Sequence, residues 1–184
     1  NIADIGSVLE IKAGFAKGMF TGFIRVKGKP LGLIANNPLF LAGAIDSDGA
    51  DKASRFIKIC ENYNIPILSL CDTPGMMVGP EIEETGLVRH CCRLFLAGAN
   101  VTVPMMTIVL RKAYGLGAQA MAGGSFMAPQ FVVGWPTAEI GAMGLEGAVK
   151  LGYRKELEAE SNEENKEKLL SLIHISEPTR QDSI

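Results

Sequence analysis

The feature that most constrains this chain is a series of short, mostly apolar segments separated by stretches with helical spacing. Ile65-Pro66-Ile67-Leu68-Ser69-Leu70-Cys71, Thr107-Ile108-Val109-Leu110 and Phe131-Val132-Val133-Gly134-Trp135 are too short for helices and apolar at both odd and even positions. Strands covered on both faces read this way, and they belong to parallel sheets flanked by helices. Between them, Ala50, Ala53, Phe56, Ile57 and Cys60 keep to one face of a helix, as do Leu87, Cys91, Leu94 and Phe95. The alternation predicts an α/β fold with a mostly parallel core sheet.

Local signals set the expected boundaries. Residues 21–36 read as two strands around the turn Lys27-Gly28-Lys29-Pro30, and Asn36-Asn37-Pro38 ends the second. Asp46-Ser47-Asp48-Gly49 supplies cap chemistry for a helix that Asn62-Tyr63-Asn64 stops. Gly79-Pro80 opens one further continuous helix, with Glu81, Glu83 and Glu84 complementing its positive end. A helix starts around Met143, and a charged, solvated helix follows over 153–169. Residues 1–169 are expected to form one domain. Residues 170–180 look like the translation of a sequencing-library adaptor, so 170–184, including His174, are set apart as a non-native tail. The opening Asn1-Ile2-Ala3-Asp4 has neither an initiator Met nor a basic flank, so we expect an internal piece of a longer protein without a signal peptide.

Charge and motifs exclude several functions. Eighteen Lys and Arg against 20 Asp and Glu give a net charge of −2, unlike a nucleic-acid-binding module. Residues 113–138 carry no charge, yet Gln119, Gly123, Gly124, Pro129, Gln130 and Pro136 interrupt them, so they read as buried core rather than a membrane span. Cys60, Cys71, Cys91 and Cys92 form no CxxC pair and are expected to be free thiols in a reducing compartment. No metal site is expected. The chain has no dinucleotide fingerprint, Walker loop, nucleophile elbow or calcium loop. Asp46, Asp48 and Asp51 read as helix-capping residues, the first-turn glutamates as solvated, and His90 as a surface or packing residue. Glu139 and Glu146 flank a glycine-rich segment, where either can be buried and paired.

Glycine is abundant, with 21 in 184 residues, against about 7% in an average protein. The strongest local signal is a strand that ends in a glycine loop and opens a helix, at 110–118, with a related strand-to-loop step at 72–79. Amides in a first helical turn lack partners and lie at the positive end of the dipole. Gly117 and Ala118 therefore either hold an oxyanion together or mark tight packing of helix on sheet. With so few reactive side chains, the chemistry points to backbone amides and to enolate stabilisation rather than hydrolysis.

Asn36-Asn37-Pro38, Ala42-Gly43-Ala44, Asp72-Thr73-Pro74-Gly75, Arg111-Lys112-Ala113-Tyr114-Gly115, Trp135-Pro136-Thr137-Ala138-Glu139-Ile140 and Met143-Gly144-Leu145-Glu146-Gly147-Ala148 stand in order along the chain. Over residues 5–160 this set resembles the C-terminal half of the carboxyltransferase (beta) subunit of biotin-dependent acyl-CoA carboxylases, of the propionyl-, methylcrotonoyl- or acetyl-CoA carboxylase type. The resemblance implies a crotonase/ClpP-like spiral of strand–helix units. It implies carboxyl transfer from carboxybiotin, carried on a separate domain, to an acyl-CoA. Gly117 and Ala118 match the amide pair that stabilises the biotin enolate, with Gly115, Pro74 and Gly75 beside them in the biotin site. Ala120 matches a position that influences acyl selectivity.

The implied partners are a biotin carboxylase and biotin carrier subunit, the N-terminal half of another carboxyltransferase subunit, and further copies in a hexamer-type assembly. The resemblance places such a protein in the cytoplasm, or in the mitochondrial matrix of a eukaryote. The fragment alone is expected to be inactive, since the second amide pair belongs to the other half. Two alternatives stay open: a subunit of a biotin-dependent acyl-CoA decarboxylase, and a non-catalytic assembly module. The loop Gly115-Leu116-Gly117-Ala118-Gln119-Ala120 departs from the family's more usual Gly-Gly-Ala-Tyr.

Overall fold

The structure is a computed structural model that describes residues 2–159, 165, 166 and 168; the expected tail lies outside them. The chain divides into two compact units, Asn1–Ile140 and Gly141–Ile184. The first holds strands β1 (Leu9–Glu10), β2 (Met19–Val26), β3 (Lys29–Asn36), β4 (Ile67–Thr73), β5 (Met105–Tyr114) and β6 (Phe131–Gly134). It also holds helices α1 (Ser47–Asn62), α2 (Pro80–Glu83), α3 (Leu87–Ala99) and α4 (Gly115–Met121). Strand β7 (Glu139–Gly141) begins in the first unit and ends at the first residue of the second, to which α5 (Leu145–Gly152) and α6 (Arg154–Ala159) belong.

The strands form one sheet in the order β1-β2-β3-β4-β5-β6, with β7 also on β5. β2 and β3 are the expected antiparallel hairpin, joined at Val26–Lys29. From β3 onward the pairings β3–β4, β4–β5 and β5–β6 are parallel, so the expected mostly parallel α/β sheet is present. Ile34, Ile67, Met105 and Val109 line one face of the sheet and share a core cluster with Ala53, Phe56, Ile57 and Cys60 of α1 and Leu87, Cys91 and Leu94 of α3. Each large side chain buried here contributes about 1.5–3 kcal/mol. The Asp46 carboxylate caps α1 by accepting from the Gly49 N–H at 2.7 Å, a contact that contributes about 1 kcal/mol.

Two expectations are corrected. The helix from Pro80 is not continuous, because Gly86 adopts φ +71° and separates α2 from α3. β5 does not stop at Leu110 but runs through Arg111 and Lys112 to Tyr114. The helix expected around Met143 is present as α5, and the charged helix expected over 153–169 is described as α6, the rest of that span lying largely outside the described residues. Among the described residues, no helix is long and apolar enough to cross a membrane.

Candidate functional site

The parallel strands β3, β4 and β5 end on one edge of the sheet, at Asn36, Thr73 and Tyr114. Loops beyond the carboxyl ends of parallel strands are where α/β sheets bind ligands. The loop after β4 is fixed from within and from the side. The Thr73 hydroxyl accepts from the Gly75 N–H and donates to the Gly75 carbonyl, each at 3.1 Å. The Ile45 N–H donates to that same carbonyl at 3.0 Å, and the Met77 N–H donates to the Ile45 carbonyl at 2.8 Å.

At the root of this loop lies the carboxylate of Asp72, which is 7% exposed. A buried charge is tolerable only when it is paired and hydrogen-bonded. Arg111 supplies the pairing, with Nε 3.3 Å from Oδ1 and a terminal nitrogen 3.2 Å from Oδ2. The Lys112 backbone N–H donates to Oδ1 at 3.2 Å, and the Asp72 N–H donates to Asn36 Oδ1 at 3.1 Å. Lys112 Nζ reaches the Ala42 carbonyl at 3.0 Å. Asp72 thus ties the ends of all three strands together.

The amide loop follows β5. Tyr114 ends the strand at φ −110°, ψ 138°, and Gly115 turns at once to φ +55°. A left-handed residue with a side chain costs about 1–2 kcal/mol, which glycine avoids. Gly117 is the third residue of α4, and a Cβ there would lie 2.6 Å from the Gly75 carbonyl carbon. The two expected loops are therefore in backbone contact. Tight packing accounts for Gly117, and it holds the uncapped first turn of α4 at the strand edge, on the positive end of the helix. Gly75 is buried and Pro74 exposed. Ala118 and Ala120 are fully buried, and their side chains belong to the core cluster.

Two contacts were not readable from the residues alone. Tyr114 is 9% exposed, and its hydroxyl donates to the Glu139 carboxylate. Burial, reinforced by that carboxylate, pushes the phenol up to about 12. Of the two glutamates left open, Glu139 is paired, and its residue is exposed rather than buried. His90 is half-buried and has a partner distant in sequence: its Nδ1 lies 3.0 Å from Asp51 Oδ1, beside Arg93 at 3.1 Å. The four cysteines are free. Burial pushes the Cys60 and Cys71 thiols up to about 12 and Cys91 up to about 11, which suits packing rather than nucleophilic roles.

The carboxyl transferase domain family matches residues 1–182. The propionyl-CoA carboxylase beta chain of Roseobacter denitrificans is 42% identical over 156 residues, which are 85% of this chain and 30% of that protein. The methylmalonyl-CoA carboxyltransferase 12S subunit of Propionibacterium freudenreichii subsp. shermanii is 42% identical over 158 residues, 86% of this chain and 30% of that one. Among solved structures, a single-chain, multi-domain long-chain acyl-CoA carboxylase aligns with TM-score 0.83 and 53% identity, covering 92% of this chain and 17% of that one. Transcarboxylase 12S, a hexamer solved with methylmalonyl-coenzyme A and methylmalonic acid bound, aligns with TM-score 0.83 and 38% identity over 95% of this chain and 34% of that one. These neighbours are crotonase-fold carboxyltransferase domains, so the expected fold class stands. The chain spans about 30% of the length of the curated relatives it matches. On the match over residues 1–182 and on these relatives, the chain belongs to the carboxyl transferase domain family.

Proposed function

We propose that this chain is the biotin-side half of a carboxyltransferase that moves a carboxyl group from carboxybiotin to an acyl-CoA. The observation that carries the reading is the Gly75–Gly117 contact, which fixes the start of α4 at the carboxyl edge of the sheet. The residues present suit a biotin ureido group. Its oxygen gains negative charge when the carboxyl leaves, and amide donors at a positive helix end favour such charge. The one buried carboxylate nearby, Asp72, is held by Arg111 and so presents no bare negative charge to the site.

Bound carboxybiotin would supply the carboxyl group and, once that has left, a ureido nitrogen able to take the substrate's α-proton. The chain's own part is electrostatic. The N–H groups of Gly117 and Ala118 would hold the ureido oxygen, and such donors each contribute about 3–4 kcal/mol to a transition state. Gly115 lets the strand turn into the helix within one residue, and Pro74 and Gly75 wall the site opposite Gly117. Ala120 is fully buried, so it would influence acyl selectivity through the packing of α4 rather than by touching the acyl chain. The N-terminal half of another subunit would complete the site in a hexamer-type assembly, with biotin delivered by a carrier subunit served by a biotin carboxylase.

Substituting Gly117→Pro in the full-length subunit tests this. It removes an N–H and restrains the loop, and we expect a loss of carboxyl transfer of about 100-fold or more, typical of a lost oxyanion donor. Transfer at the parent rate by a folded variant would overturn the assignment.

A further inference from the structure

We infer that Tyr114 is a positioning residue, held by Glu139, that aims the first-turn amides of α4. The inference rests on the biotin-side reading of those amides given above. It starts from something the helix lacks: no side chain caps the start of α4. In most helices a Ser, Thr, Asp or Asn at the cap fixes the first-turn N–H groups by bonding to one of them. Such a bond at this site would occupy an amide that the ligand needs. The direction of the turn must then be set from the residue before it, Tyr114, whose backbone is the last ordinary conformation before Gly115 swings to φ +55°.

The Tyr114 ring is nearly buried, so it anchors the backbone to which it is attached. Its hydroxyl donates to the Glu139 carboxylate, an acceptor on β7, the strand that pairs with β5. Glu139 is brought there by a segment laced to β5. The Trp135 N–H donates to the Val109 carbonyl at 2.8 Å, the Thr137 hydroxyl to the Leu110 carbonyl at 2.9 Å, and the Ala138 N–H to the Trp135 carbonyl at 2.8 Å. The ties thus run along β5 from Val109 to Tyr114, the last of them at the residue that opens the amide loop. Packing alone would be served by phenylalanine, which fills the same space without a hydroxyl to desolvate. A tyrosine paired with a charged acceptor makes a stronger and more directional tie. The phenol, pushed up to about 12, stays protonated and donating throughout the neutral range.

The test uses the full-length subunit with its partners. Tyr114→Phe should lower kcat about tenfold, since a small misplacement of positioned groups is costly, while KM for the acyl-CoA stays within about twofold. Glu139→Gln keeps an oxygen acceptor and should retain about a third of the parent kcat or more. The double variant should be no slower than Tyr114→Phe alone, because both changes break one contact. Hydrogen–deuterium exchange over residues 113–122 supplies a readout independent of activity. Tyr114→Phe should speed exchange there and leave α1 and α3 unaffected. An unchanged exchange rate, a loss confined to KM, or additive losses in the double variant would each overturn the positioning role. If Gly117→Pro keeps full transfer while Tyr114→Phe still speeds exchange, the positioning stands and the biotin-side reading fails. Failure of Tyr114→Phe to fold would itself overturn the inference, since the hydroxyl would then be needed by the whole fold.

Discussion

The two ends of α4 are both pinned by glycine against glycine, yet they differ in what the contact leaves over. At the start, Gly117 rests on Gly75, where a Cβ would come within 2.6 Å of the Gly75 carbonyl carbon. Just past the end, Gly98 of α3 rests on Gly123, where a Cβ would come within 2.6 Å of the Gly123 Cα. The far end is satisfied: the Ala122, Gly123 and Gly124 N–H groups donate to Ala118, Ala120 and Gln119 carbonyls at 2.8–3.2 Å. The near end lies at the strand edge with no side chain capping its first turn. Close packing of glycines therefore does not distinguish a site from a core. Position at the carboxyl edge of the parallel strands does.

The comparison can be broken by giving each end a methyl group. Gly117→Ala must push α4 off Gly75, and we expect kcat for carboxyl transfer to fall about 100-fold if the shift reaches 1 Å. Gly98→Ala should destabilise the fold by about 2 kcal/mol through overpacking, leaving the rate per folded molecule unchanged. Denaturant titrations beside steady-state kinetics separate the two effects; equal losses of rate at both ends would make them equivalent.

Thiol reactivity sharpens the contrast between core and surface on α3. Cys91 and Cys92 are adjacent, but one is buried and the other exposed. Alkylation of the native chain near neutral pH, read by mass spectrometry, should modify Cys92 first. Cys60, Cys71 and Cys91 should react only on unfolding, because burial holds their thiols well above the working pH.

The smallest expected effect concerns the tie between α1 and α3. Burial pushes the Asp51 carboxyl up, but hydrogen bonds and charges from His90 and Arg93 outweigh this and hold it below its ordinary value. A lowered carboxyl stabilises the fold above its unfolded pKa and loses that contribution as pH falls through its folded one. Chemical denaturation between pH 6 and 3 should show this loss at the acid end. Asp51→Asn should cost about 1 kcal/mol at neutral pH and flatten that part of the profile.

How much was legible in the sequence follows from how local each signal is. The hairpin over 21–36, the Asp46 cap and the buried face of α1 depend on neighbours within a few residues, and each is where the pattern placed it. The glycine loop after β5 was also visible, since a strand end and a glycine turn are local. The extension of β5 through Arg111 and Lys112 was not. Two adjacent charges look like a loop until Asp72, 39 residues earlier, accepts from the Arg111 guanidinium, and Ala42, 70 residues earlier, accepts from Lys112 Nζ. The break at Gly86 was hidden because one glycine in a helical pattern leaves the apolar spacing intact. Tyr114 and Glu139 stand 25 residues apart, and only the pairing of β7 with β5 brings them together.

The order of the sheet carries one further consequence, for how such a chain is made. From β1 to β6, neighbours in space are neighbours in sequence. A strand emerging from a ribosome therefore finds its partner already laid down, and from β1 to β6 no earlier pair must be prised apart to admit a later one. Among the described strands, β7 alone returns, to pair with β5. The sheet can be assembled from one edge in the direction of synthesis, so β3, β4 and β5 are in place before the amide loop emerges, and the β7 tie to Tyr114 comes last.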